Sequence, residues 1–372
     1  MTTALINTLK NILTYIFLCI VIHINGQNIV RQIDSIAQNH VSKGFNGNVL
    51  YSKGNTIVFT KNYGYTDLET KQILNDSTIF ELASVSKQFT ALAIVQLVEK
   101  KHFNYTTKVS HLIDRFPYDA ITVEDLLRHQ SGLPGIHQLL NNKTYWNRKK
   151  MATNNDVIEI LETHHLDLNF TPGSQYDYNN TGYVILASII EKISGLSYKD
   201  YISKYIFKPA NMLHSKVYHL NGIPEDSPNT ARGFTYNKRK KKYQRVEKDK
   251  NYKHIKWMNA IVGDRGIYAS ILDLEKWKQA LRNNILILEE SKRKMFSVDK
   301  VSPKYGFGFA IYETESKGKW VYHNGSWSGY KTSAIYLPES NEYLVILSNN
   351  RYNETYKSFE DELYALISNL QN

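Results

Sequence analysis

Three short segments hold residue types whose spacing could support nucleophilic chemistry. The first is Phe80-Glu81-Leu82-Ala83-Ser84-Val85-Ser86-Lys87, at the head of a strongly apolar run. Ser84 and Lys87 are three residues apart, so on a helix they share a face and can touch. A serine hydroxyl is a poor nucleophile until a base takes its proton. A partly buried lysine one turn away can help to take it. A helix start adds free backbone N–H groups and a positive dipole near Ser84. By itself the S-x-x-K spacing is equally well met by an N-cap serine with an exposed lysine.

The second segment is Tyr176-Asp177-Tyr178-Asn179-Asn180-Thr181-Gly182-Tyr183, after Pro172-Gly173 and before an apolar helix. A tyrosine beside an ammonium group can have its pKa lowered and act as a base. Asn180 offers one acceptor and an NH₂ donor, enough to hold Lys87 or a substrate amide. The bland alternative is one more tyrosine-rich loop in a chain with 27 tyrosines. The third segment, Val321-Tyr322-His323-Asn324-Gly325-Ser326-Trp327-Ser328-Gly329-Tyr330, reads as a strand end. Glycine there lets a backbone approach a ligand closely, and such an edge can supply one N–H of an oxyanion hole. It is not a nucleophile elbow, because Trp327 stands where that motif needs serine.

The elements that must position these residues follow from apolar periodicity. Ile29, Ile33, Ile36 and Val41 are spaced as one helix face over 28–43. Asn48–Ser52 and Thr56–Lys61 read as a hairpin turning at Lys53-Gly54-Asn55. Ser84–Lys101 is predicted as a long helix, with further helices over 122–131, 155–165, 182–205 and 272–284. Tyr305–Tyr312, Trp320–His323, Thr332–Leu337 and Glu342–Ser348 read as successive strands. A last helix puts Tyr356, Phe359, Leu363, Leu366, Ile367 and Leu370 on one side. This order predicts a sheet built from both ends of the chain with a helical insertion between them.

Taken together and in order, S-x-x-K, Y-x-N and H-x-G resemble the serine β-lactamase and penicillin-binding-protein superfamily. The nearest likeness is its class C-like branch of peptidases, D-aminopeptidases and esterases. Ile121–Pro134, Gly263–Ser270 with Asp273, and Tyr305–Gly308 look like further family segments shaping the helical region and cleft floor. The resemblance implies an α/β (α+β) fold of the β-lactamase/transpeptidase kind: an antiparallel sheet flanked by helices, plus a mostly helical subdomain. It implies one hydrolase domain over 27–372, with a sheet subdomain at about 28–82 and 260–372 and a helical subdomain at about 83–259. Ser84 would be the acylated nucleophile, Lys87 its proton partner and Tyr178 the general base and acid. Asn180 would orient Lys87 and the substrate amide. His323 and Gly325 would line the cleft edge, and the N–H groups of Ser84 and Ser326 would form the oxyanion hole. No metal or other cofactor is implied, and His129 and Ser131 are not expected to be catalytic.

One position departs from the lactamase pattern. Many relatives carry K-[ST]-G on this strand, and His323 stands in place of the lysine. A histidine of ordinary pKa is mostly neutral at pH 7, so the standing positive charge is lost. That favours an ester, an amide or a D-amino-acid peptide over efficient antibiotic breakdown. The substrate is then a small molecule or peptide, with cell-wall fragments as one source. The alternative reading is a non-catalytic wall-binding or sensor protein on the same fold.

Composition bounds the rest. The 372 residues include 42% hydrophobic and 12% aromatic residues, so the chain can bury a full core and is not a disordered polymer. A single cysteine excludes an intramolecular disulfide framework and a multi-cysteine zinc site. Residues 12–24 are an apolar run too short for a comfortable membrane span, with Gly26 at the expected cleavage point. Residues 1–26 are therefore read as a signal peptide and the protein as exported, periplasmic or extracellular. An uncleaved inner-membrane anchor is the alternative. The net charge is +11, and residues 238–256 alone carry ten bases and two acids, +8 of that total. That segment reads as a solvated hairpin tip, with weak attachment to anionic envelope polymers as the sharper alternative. No nucleic-acid recognition motif accompanies it.

Overall fold

The computed structural model of the chain describes residues 28–218, 227, 229–351 and 355–370. The predicted signal peptide lies outside the described residues. Helix α1 spans 28–42. Strands β1 (Gly47–Lys53) and β2 (Thr56–Tyr63) form the predicted hairpin. Near the other end of the chain come β3 (Ala310–Thr314), β4 (Gly318–Trp327), β5 (Tyr330–Leu337) and β6 (Glu342–Ser348). They make one antiparallel sheet in the order β3-β4-β5-β6-β1-β2. The first strand thus pairs with the last of the six, Gly47 opposite Ser348 and Lys53 opposite Glu342.

Both faces of this sheet are covered, and the period-2 alternation of the strands sorts side chains between them. Val49, Tyr51, Leu344 and Ile346 pack with Ile33 of α1 and with Phe359 and Leu363 of the last helix, α5 (Thr355–Ser368). Leu50, Val345 and Leu347 point the other way, into the larger core that includes Phe89 and Leu92. Fully burying each such side chain stabilises the fold by roughly 1.5–3 kcal/mol.

Helix α2 (Lys87–Glu99) lies inside that larger core, and every residue from Lys87 to Leu97 is buried. A helix buried on every side belongs in the middle of a protein, and its polar residues there bond within the core, Thr90 Oγ1 to Gly263 O and Gln96 Nε2 to Leu286 O. It packs on α3 (Asn180–Ser194). Helix α4 (Ile271–Arg282) lies against β1 and β6.

Three expected elements are altered. The helix expected from Ser84 begins at Lys87; Ala83–Ser86 form a 3-10 turn instead. This turn is pinned by Leu82 N–H on Ile267 O, at 2.8 Å, and Ala83 is held at φ +50°. The single helix expected over 182–205 breaks at Gly195, whose left-handed conformation (φ +70°) caps α3. The strand expected from Tyr305 begins at Ala310, because Gly308 turns the chain at φ +77° beside the start of α2. Only the upstream part of the basic segment lies in a hairpin, where Phe234–Asn237 pairs with Lys242–Arg245 around a turn at 238–241; residues from Val246 onward leave it in short helical turns. Among the described residues no helix is long and apolar enough to cross a membrane.

Candidate active site

The serine turn sits between the short strand Ile79–Glu81 and the face of β4. Two features hold it there. Ala83 N–H and Gly266 N–H both donate to Glu81 Oε1, at 3.3 and 2.9 Å. On the other side Gly325 brings β4 so close that a Cβ there would collide with Leu82 O and Thr332 Oγ1. Glycine is required by that close approach, not by its own backbone angles.

Lys87 lies under Ser84 and is fully buried. Its Nζ donates to Ser84 Oγ at 3.1 Å and to the carbonyl of Asp264 at 2.9 Å. It also stands 5.0 Å from the ring centre of Tyr178 and 5.5 Å from that of Tyr183. Burial is the main cause that pulls its pKa down to about 7, against the nearby Asp264 carboxylate and with help from Arg265. The Asp264 carboxylate is itself held by Arg265, Nη1 to Oδ2 at 2.6 Å. Near neutral pH a large share of Lys87 is therefore the free amine, a base in contact with the serine hydroxyl.

Tyr178 sits on a loop tied to the Ile121–Pro134 segment through His129. Asp177 N–H donates to His129 O (2.9 Å) and Asn179 N–H to His129 Nδ1 (3.1 Å). Asn179 Oδ1 then caps α3 through Thr181 N–H at 2.8 Å. One face of the Tyr178 ring is open to the cleft (38% exposed). Burial raises the pKa of its phenol, and a hydrogen bond with Ser84 opposes the rise. The direction is the reverse of the lowering expected from a neighbouring ammonium: burial outweighs the hydrogen bond with Ser84, and the nearby Asp264 and Tyr176 add to the rise.

His323 is buried, with Nδ1 2.8 Å from Asn324 O and Nε2 2.9 Å from Tyr305 Oη. A carbonyl only accepts, so Nδ1 carries the proton and Nε2 accepts from the tyrosine. Burial, with Lys87 nearby, lowers its pKa to about 3. The ring is thus neutral for a stronger reason than the ordinary histidine pKa, and the strand offers no charge at this position.

Ser84, Tyr178, Asn180, His323, Gly325 and Ser326 all line one cleft of about 860 Å³, with Lys87 beneath its floor. Asn180, the first residue of α3, is placed differently from expectation. Its Oδ1 has no hydrogen-bond partner among the described residues, and Lys87 Nζ bonds Ser84 and Asp264 instead. Asn180 faces the cleft. Asp264 was missed as a lysine holder because it acts through its backbone carbonyl, which no residue type signals. Tyr305, expected as a strand start and as part of a segment shaping the cleft floor, also contacts His323 Nε2 through its hydroxyl. Among the described residues no group of three or more His, Cys, Asp or Glu is placed to hold a metal ion.

A nucleophile turn, a buried lysine and a facing strand edge on this sheet are the makings of a serine hydrolase of the β-lactamase and penicillin-binding-protein kind. The Beta-lactamase family model matches residues 33–369, and the chain belongs to that family. It is 35% identical over 317 residues to "Penicillin-binding protein 4*" of Bacillus subtilis, spanning 84% of this chain and 70% of that protein. A penicillin-binding protein structure from Bacillus halodurans superposes with a TM-score of 0.75 at 24% identity, over 88% of this chain and 98% of that one. The structure of an octameric penicillin-binding protein homologue from Pyrococcus abyssi gives a TM-score of 0.74 at 26% identity, over 92% and 78% of the two chains.

Proposed function

We propose that the protein is an exported hydrolase that works through an acyl-enzyme on Ser84 and cleaves an ester, an amide or a D-amino-acid peptide bond. The observation that carries the reading is the fully buried Lys87 with Nζ 3.1 Å from Ser84 Oγ, its pKa pulled down by burial. Lys87 takes the proton as Ser84 Oγ forms its bond to the substrate carbonyl carbon. The oxygen of that carbonyl gains charge and is met by the N–H groups of Ser84 and Ser326. Tyr178, kept protonated by burial, donates its proton to the departing oxygen or nitrogen and is reprotonated from Lys87. Water then attacks the acyl carbon with the same groups in reverse roles, releasing the acid and restoring Ser84. Asn180 holds the substrate amide, and neutral His323 shapes the cleft edge without pairing with a substrate carboxylate.

The wall-binding alternative has no comparable support, because a binding surface gains nothing from a destabilised lysine under a serine. The test is acylation. A penicillin or a fluorophosphonate should add its mass to the peptide containing Ser84, and Ser84→Ala should abolish the adduct. An adduct that survives in Ser84→Ala, or none at all, would defeat the assignment. A turnover panel of a chromogenic cephalosporin, a nitrophenyl ester, a D-alanyl-D-alanine peptide and a D-aminoacyl amide then ranks the substrate types.

A further inference from the structure

The downstream part of the basic segment does not stand clear of the active site. Residues 246–256 wall a second cavity of about 380 Å³, whose opposite wall includes Trp327, Ser328 and Tyr330. Trp327 ends β4 and directly follows Ser326, which lines the catalytic cleft. One strand therefore borders both spaces, and an extended chain needs only about 7 Å, two residues, to pass from Ser326 into the second.

Five basic and two acidic side chains line this cavity. Asp249 is engaged by its own loop, accepting from Thr235 Oγ1 at 2.8 Å and Asn251 N–H at 3.0 Å. Lys248 is paired with Glu69 at 2.7 Å, and Glu247 is exposed. Lys250, Lys253 and Lys256 stand exposed on the rim with no carboxylate in ion-pair range among the described residues. Behind them the wall is aromatic, and the Trp327 ring is held from below by the Arg265 guanidinium at 3.9 Å. An apolar wall with three free ammonium groups at its mouth suits a short chain that ends in negative charge.

The direction of the substrate follows from the proton donor. Tyr178 lies toward Tyr305 and His323, with ring centres 6.1 and 6.0 Å away, so the leaving group departs at that end. The acyl portion, its carbonyl at Ser84 and Ser326, then extends the other way, toward Trp327.

We infer that the cavity behind Trp327 is the acyl-side subsite and takes an anionic group, carboxylate or phosphate, borne on the acyl portion of the substrate. This rests on the reading of Ser84 as the acylated residue. The experiment compares three nitrophenyl esters with similar acyl lengths: hexanoate, the adipate monoester and the 5-phosphonopentanoate. The native protein should favour one or both anionic esters in kcat/KM by at least about fivefold at low salt. The larger preference tells carboxylate from phosphate. Lys250→Gln/Lys253→Gln/Lys256→Gln should erase the preference and leave hexanoate turnover unchanged. Equal rates for all three esters, or a variant that loses hexanoate turnover equally, overturns the inference. If no ester is cleaved and a fluorophosphonate leaves Ser84 unlabelled, the hydrolase reading has failed by itself. Calorimetry then decides the cavity: adipate or inorganic phosphate should bind the Ser84→Ala protein and not the same protein with the three glutamines. Absence of binding overturns the subsite whatever the serine does.

Discussion

Two fully buried lysines sit in opposite settings. Lys278, on α4 behind the sheet, meets Glu275 Oε1 at 2.8 Å and Gly54 O at 2.9 Å. The second oxygen of Glu275 takes the Ser52 hydroxyl at 2.6 Å. The charge is matched and every partner is satisfied. Lys87 has a hydroxyl and a carbonyl instead, and the one carboxylate near it is already clamped by Arg265. The same side chain is a structural cation in one place and a base in the other. What differs is whether a carboxylate is free to pair with it, not how deeply it is buried.

The comparison can be broken most sharply at Lys87. Lys87→Ala and Lys87→Arg should both lower kcat/KM by about 10⁴-fold, since arginine keeps the charge and cannot accept the proton. Steady-state kinetics on any turned-over ester reads this, and activity retained in Lys87→Arg would remove the base role. At the other lysine the effect should fall on stability. Lys278→Met leaves Glu275 buried without its partner and should cost about 3–5 kcal/mol in denaturant unfolding, with catalysis per folded molecule unchanged.

Gly325→Ala tests the close approach that seats the serine turn. A Cβ against Leu82 O must push β4 away, and a misplacement near 1 Å should lower kcat/KM by about 10²-fold with the fold retained.

Smaller effects come from pH. The base must be uncharged, so kcat/KM should fall about tenfold per pH unit below about pH 7 and level off above it. Stability follows the same group with a definite sign. Its folded pKa lies below its unfolded value, so between about 7 and 10.5 only the unfolded chain binds the proton. The penalty is present in full below pH 7 and is relieved as pH rises through that window. Lys87→Met should therefore stabilise the protein near neutrality as it destroys activity. The smallest signal is a null one: the ring resonances of His323 should not titrate between pH 5 and 8.

Much of this site was legible in the sequence, because residue type and order survive folding. Ser84, Lys87, Tyr178 and His323 stand out when three short patterns, each weak alone, are read together and in order, and the strands stand out by alternation. What the patterns lack is the environment. The direction of the Tyr178 shift depends on burial by segments far along the chain. The 3-10 turn at Ser84 is invisible because apolar spacing continues through it, while the bonds that tighten it come from Ile267 and Glu81. The basic segment reads only as a solvated hairpin tip, since no local pattern says that residues 246–256 return to Trp327.

The sheet order sets a timetable for the living protein. Ser84 is synthesised long before His323 and Ser326, and β1 has no partner on its β6 side until the last part of the chain exists. At about 5–20 residues per second, the nucleophile waits roughly 10–50 s for the strand that completes its cleft. Pairings of such long sequence separation also form slowly. A nascent chain that ends before β4 therefore lacks one wall of the cleft around Ser84.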